Sequence, residues 1–197
     1  MLEAMTKADK ITLSRIILAP FFFLIYRYSL FSPIISIALL WILYALMELS
    51  DLFDGRVARS ERKVSDFGKL FDPFADVFAR LTYFVCFAFS GIMPLWIFVI
   101  ILYRELAMLF LRMLLGFRGI ALGARRGGKL KAGLYMASGL LSLIVFSFES
   151  LSFTPSWAPA LRTVLLVVYV AAAVLSVASF VDYILEYRKL TKSAKNS

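Results

Sequence analysis

Residues 50–77 read SDLFDGRVARSERKVSDFGKLFDPFADV. An apolar run reaches this stretch from each side, over 31–52 and over 70–90. Each run approaches or exceeds the roughly 20 residues that a helix needs to cross a bilayer's hydrocarbon. Between and within their ends stand Asp51, Asp54, Asp72 and Asp76, with Gly55, Ala58, Arg59 and Gly68 interspersed. An ionised carboxylate beside hydrocarbon is costly, so four of them at one place require partners or a task.

Outward from this stretch the chain keeps a membrane character. Of its 197 residues 61% are apolar, and its mean hydropathy is +0.84. Soluble domains carry roughly 45–50% apolar residues. Four further apolar runs cover 11–26, 93–115, 130–148 and 159–185. The expected fold is therefore an all-α integral membrane protein of six transmembrane helices, one domain over 1–197. Residues 1–9 mix polar and apolar side chains and are expected to lie along the membrane surface. The first run is short and carries Arg15, so its cytoplasmic end is expected to stand in the headgroup region. That run does not read as a cleaved signal, because Arg15 interrupts it and a second span follows.

Basic residues set the orientation. One group of helix ends carries Lys7 and Lys10, then Arg56, Arg59, Arg62, Lys63 and Lys69, then Arg118, Arg125, Arg126, Lys129 and Lys131, then Arg188, Lys189, Lys192 and Lys195. The other group carries Arg27 and Arg162. Both termini and the aspartate stretch are thus expected on the cytoplasmic face of the cell membrane. The net charge of +9 then belongs to contact with anionic lipid headgroups rather than with nucleic acid.

Composition narrows the chemistry. The chain has no histidine, which removes the commonest general base and transition-metal ligand. Acid–base work falls to carboxylates, lysine or tyrosine. A metal here would be a hard, oxygen-bound cation such as Mg2+ or Mn2+. The single Cys86 lies in an apolar run and reads as packing. No serine–histidine or cysteine–histidine pair exists to form a covalent intermediate.

On helices, Asp51 and Asp54 share one face near the end of the second span. Asp72 and Asp76 share one near the start of the third. The short segment between makes the two helices antiparallel neighbours, so the carboxylate pairs can face each other across one or two divalent cations. Two metals about 4 Å apart clamp the attacking and leaving oxygens in phosphoryl transfer. Gly55 and Gly68 let backbone and ligand approach closely, and Arg59 offers a planar fork suited to pyrophosphate. The competing structural reading makes Asp54–Arg59 and Asp66–Lys69 interfacial ion pairs, and makes Asp72-Pro73 a helix start with Asp as its cap.

The stretch has the form D-x-x-D-G-x-x-A-R, eight residues, G-x-x-x-D-x-x-x-D, filled by Asp51, Asp54, Gly55, Ala58, Arg59, Gly68, Asp72 and Asp76. It resembles the complete signature of the CDP-alcohol phosphotransferases. The resemblance implies a six-helix membrane enzyme, usually a homodimer, that attacks a CDP-linked lipid alcohol such as CDP-diacylglycerol and releases CMP. It implies that Asp51, Asp54, Asp72 and Asp76 bind divalent metal and that Asp76 is also the base for the acceptor hydroxyl. It assigns Gly55, Ala58, Arg59 and Gly68 to the CDP site.

Three further features look like the phosphatidylglycerophosphate-forming branch, whose acceptor is glycerol 3-phosphate. KITLSRIILAP at the entry to the first run matches that branch's opening through Thr12 and Arg15, which adds Thr12 to the CDP site. YRELAMLFLR matches an R-E and a later Arg through Arg104, Glu105 and Arg112. GGKLKAG matches a G-K-x-K-T element through Lys129 and Lys131. Arg112, Lys129 and Lys131 are accordingly expected to hold the acceptor phosphate, while Arg104 and Glu105 read as a structural polar network. Ala8 and Asp9 stand where Pro and Asn are usual, and Ala132 where Thr is. The rival readings change the acceptor to inositol phosphate or serine, or the donor to a CDP-choline type. Two further ones drop catalysis for a cation channel or transporter, or for a membrane scaffold.

Overall fold

The computed structural model describes the backbone of residues 7–28, 30–61, 66–117 and 126–193, and the side chains of 9–28, 30–50, 71–116, 130–185, 187 and 188. It is all-helical: α1 (Lys7–Arg27), α2 (Pro33–Glu61), α3 (Asp66–Phe89), α4 (Leu95–Phe117), α5 (Arg126–Ser150) and α6 (Ala158–Ser193). The shortest, α1, has 21 residues, or about 31 Å at 1.5 Å per residue, which matches a bilayer's hydrocarbon thickness.

Among the described residues, three helices are apolar enough along their length to cross a membrane by composition, over Pro33–Ser50, Leu130–Ser150 and Ala158–Leu185. The other three carry charge: Asp9, Lys10 and Arg15 on α1, Asp72, Asp76 and Arg80 on α3, Arg104, Glu105 and Arg112 on α4.

Much of the charge on these helices, and Lys131 of α5, is turned inward. Arg15, Arg80, Arg104, Glu105 and Lys131 are buried, while Ile34, Phe89, Leu95, Tyr103, Phe110 and Val167 are exposed. A bundle with its polar groups inside and large apolar side chains outside suits lipid rather than water. Arg15 is turned into the bundle. It is 2% exposed, and its Nε donates to Ser50 Oγ on α2 at 3.0 Å. An arginine inside an apolar segment does better on a polar partner in a neighbouring helix than facing hydrocarbon.

The helices alternate in direction. At one end Tyr26 of α1 meets Ser90 just after α3 (2.6 Å), Trp41 of α2 meets Ser147 of α5 (3.2 Å), and Arg162 of α6 pairs with Glu149 of α5. At the other end Thr12 of α1 meets Asp72 of α3, and Met108, Leu111 and Leu115 of α4 pack with Tyr183 of α6. The starts of α1, α3 and α5 thus share an end with the finishes of α2, α4 and α6. α3 is stopped at the opposite end by Gly91, whose φ of 75° is left-handed. The N–H groups of Ile92 and Met93 then turn back onto the Phe87 carbonyl.

α1 packs along both α2 and α3. α2 and α3 also meet, through the Tyr44 and Tyr83 rings at 5.4 Å. Aromatic side chains fill the centre: Phe84 of α3 sets its ring edgewise to Tyr135 of α5 (5.6 Å) and Tyr169 of α6 (5.9 Å). The structural reading of Asp72-Pro73 as a helix start does not hold. α3 begins at Asp66 and contains Pro73. The missing proline N–H removes one rung of an already running helix.

Candidate active site and its buried polar network

The helix backbones carry the motif. Asp51, Asp54, Gly55, Ala58 and Arg59 lie on the last three turns of α2, and Gly68 on the first turn of α3. Helical spacing over the whole of 51–61 puts Asp51 and Asp54 on one face. The side chains of these residues, and of Lys129 on the first turn of α5, lie outside the described residues.

Thr12, Asp72, Asp76, Arg112 and Lys131 are described. Thr12 of α1 is fully buried and its hydroxyl donates to Asp72 Oδ1 at 2.7 Å. Thr12, expected at the CDP site, and Asp72, expected at the metal, are therefore brought together. One turn further along α3, Asp76 accepts two hydrogen bonds from Arg80, Nη2 to Oδ1 at 2.8 Å and Nη1 to Oδ2 at 2.9 Å. Asp76 keeps 31% of its side chain exposed, whereas Arg80 keeps 6%. Arg112 is exposed on α4.

Lys131 is placed differently from a free anion ligand. Its ammonium donates to Glu105 Oε1 at 2.6 Å, and both side chains are at least nine-tenths buried. Arg104 Nη1 donates to the same oxygen at 2.9 Å, and the Tyr135 hydroxyl lies 3.0 Å from it. Arg104 also reaches α6, donating from Nε to the Ser176 carbonyl (3.0 Å) and from Nη2 to Ser179 Oγ (2.8 Å). Arg104 and Glu105 thus form a buried polar network with Lys131.

The two polar centres are joined through Tyr135. Arg80 lies over one part of that ring at 5.3 Å from its centroid, and Lys131 lies 4.9 Å from the same centroid. On the α2 side the Tyr83 hydroxyl donates to Glu48 Oε1 at 3.1 Å. Among the described residues, Glu48, Asp76 and Glu105 balance Arg80, Arg104 and Lys131, three charges of each sign. Such neutrality is what permits a cluster of this size inside an apolar bundle.

Motif spacing pointed to the aspartates but not to Arg80, Glu48 or Tyr135. The signal for Arg80 was present: a charge inside an apolar run, four residues after an aspartate, falls on that aspartate's face.

The donors suit a hard divalent cation. Asp72 and Asp76 offer carboxylate oxygens one turn apart, and each bonded oxygen retains a lone pair. Among the described residues no three carboxylates converge; the other two motif aspartates lie beyond that description.

Comparison with known proteins follows the same outline. A family model described as CDP-alcohol phosphatidyltransferase matches residues 5–175. The chain is 41% identical to the CDP-diacylglycerol–glycerol-3-phosphate 3-phosphatidyltransferase of Treponema pallidum over 81% of this chain and 74% of that protein. It is 31% identical to a Mycobacterium tuberculosis protein named "Probable phosphatidylglycerophosphate synthase", over 90% of this chain and 79% of that one. It is 33% identical to the Bacillus subtilis CDP-diacylglycerol–glycerol-3-phosphate 3-phosphatidyltransferase, over 74% of this chain and 80% of that one.

Proposed function

The chain belongs to the CDP-alcohol phosphatidyltransferase family, and from that premise we propose that it makes phosphatidylglycerophosphate from CDP-diacylglycerol and glycerol 3-phosphate, releasing CMP. The observation that carries this reading is the 41% identity, over 81% of the chain, to a relative named for this reaction. The motif from Asp51 to Asp76 is complete in the same chain.

In this reading one membrane domain crosses the bilayer six times, with both termini and the aspartates on the cytoplasmic side. Asp51, Asp54, Asp72 and Asp76 would hold Mg2+ or Mn2+, in a two-metal arrangement. The metal, when bound, neutralises the pyrophosphate and the leaving CMP. Thr12, Gly55, Ala58, Arg59 and Gly68 receive the CDP moiety, and the Thr12 hydroxyl also holds Asp72.

The acceptor hydroxyl gives its proton to Asp76. Its oxygen forms a new bond to the phosphorus attached to diacylglycerol, and the bond from that phosphorus to the oxygen of CMP breaks. Asp76 is exposed enough to be reached while Arg80 holds it. The acceptor phosphate lies at the basic end, with Arg112 and Lys129 at its edge. Lys131 approaches from within the bundle, its charge shared with Glu105. Homodimerisation belongs to the same reading, and the exposed apolar helix faces supply surface for it.

Purified protein in detergent, given CDP-diacylglycerol and Mn2+ or Mg2+, tests the reading. CMP release is expected with glycerol 3-phosphate and not with inositol phosphate, serine or no acceptor, and Asp76→Asn should abolish it. Release with a different acceptor would keep the family chemistry and overturn the acceptor. No release from folded, metal-bound protein would remove CDP-diacylglycerol as the donor.

A further inference from the structure

Asp76 and Arg80 form an unequal pair. The carboxylate is the exposed partner and the guanidinium the buried one, at 31% and 6% of side-chain exposure. A cation recruited to rescue a buried carboxylate would show the reverse.

The hydrogen bonding is also lopsided. Both Nη atoms are committed to the two oxygens of Asp76, while the buried Nε has no hydrogen-bond partner among the described residues. A buried donor left unpaired is unfavourable, yet the two-pronged bond to Asp76 is the arrangement adopted.

The guanidinium is itself held. Its carbon lies 5.3 Å from the centroid of the Tyr135 ring, and that ring also meets Lys131 and Glu105. Tyr83, three residues on, is tied to Glu48. Arg80 therefore transmits the position of a rigid, five-helix polar network to one carboxylate at the site's edge.

We infer that Arg80 is a positioning residue of the transfer reaction, fixing both oxygens of Asp76 in the orientation that binds the metal and accepts the acceptor's proton. The inference rests on the reaction proposed above. It asks nothing of Arg80 toward substrate. One ammonium cannot reproduce a two-pronged bond in one plane, so lysine is a partial substitute. Removing the outer partner of a metal-binding group lowers metal affinity or activity by roughly 10–100-fold.

The experiment uses the full chain in detergent with Arg80→Gln and Arg80→Lys, both checked by gel filtration and unfolding temperature. Two quantities are read: kcat and KM for glycerol 3-phosphate from CMP release, and the Mn2+ dissociation constant from electron paramagnetic resonance of free Mn2+ without substrate. For Arg80→Gln we expect kcat to fall about 10–100-fold, the Mn2+ constant to rise about tenfold, and KM to stay within about threefold. Arg80→Lys should fall between Gln and wild type on both readings.

A folded Arg80→Gln with wild-type kcat and Mn2+ affinity overturns the inference and leaves the proposed reaction standing. If Arg80→Gln does not fold, Arg80→Lys decides: wild-type values overturn the inference and a fall in both supports it. If the wild-type chain releases no CMP, the proposed reaction fails, and the Mn2+ constants alone decide the role of Arg80. A wild-type chain that binds no Mn2+ overturns the inference.

Discussion

Glu105 concentrates three donors on a single oxygen: Arg104 Nη1, Lys131 Nζ and the Tyr135 hydroxyl. In a water-poor interior each of those groups was dehydrated to get there, so the carboxylate is what makes their burial tolerable. Glu105→Gln keeps the shape and removes the charge, leaving Arg104 and Lys131 under-compensated. Breaking a buried pair from one side costs about 3–5 kcal/mol. Lys131→Met should be costly for the matching reason. The double variant Glu105→Gln/Lys131→Met should be less destabilised than the sum of the two, with a coupling on the order of 1–3 kcal/mol. Thermal or denaturant unfolding of the four proteins in one detergent measures it. Strict additivity would mean that the 2.6 Å contact between Lys131 and Glu105 carries no energy. Arg104 remains in every variant, so full recovery in the double is not expected.

At the scale of helices, α2 and α5 approach closely where a glycine permits it. A Cβ on Gly139 would stand 2.7 Å from Tyr44 Oη and 2.9 Å from Tyr44 Cε2. Tyr44 has little room to move: its hydroxyl donates to the Met136 carbonyl at 2.6 Å and its ring lies against Tyr83. Gly139→Ala should therefore destabilise by about 1–3 kcal/mol, as overpacking does. Gly133→Ala, one and a half turns earlier on α5 with nothing within 4 Å of the added carbon, should be neutral or slightly stabilising. Equal unfolding midpoints for the two variants would refute the close approach. The existence and order of the six helices were legible in the apolar runs, but several ends were not. The run over 31–52 becomes a helix to Glu61, and the run over 159–185 one to Ser193. Hydropathy marks where hydrocarbon is tolerated, whereas the backbone ladder continues through Arg56 or Lys189 as readily as through Leu. Motif spacing likewise located the aspartates, since Asp51, Asp54, Asp72 and Asp76 lie within one short stretch. It could not reveal that Lys131 closes on Glu105, because that pair is 26 positions apart and depends on how α4 and α5 pack.

The whole molecule has two unlike ends, and that difference makes its orientation testable. One end gathers the start of α1 beside Asp72, the finish of α2 and the basic finish of α6; the other holds Arg27, Arg162 and the turns between them. Retaining Lys and Arg on the cytoplasmic side would place the aspartate end there. An even number of crossings puts Lys10 and residue 188 on one side and the α5–α6 turn on the other. Cys86 is the single cysteine and is buried, so the wild type serves as an unlabelled background. Lys10→Cys and Ser156→Cys put a thiol at exposed positions of opposite ends. A membrane-impermeant maleimide applied to intact cells should label Ser156→Cys, and should label Lys10→Cys only after permeabilisation. The reverse pattern would put the aspartates outside, away from a cytoplasmic nucleotide donor, and would defeat the proposed reaction along with the orientation. Labelling of both from outside would mean an even number of crossings between them. In that case one of the charged helices, α1, α3 or α4, would lie within the bundle without spanning.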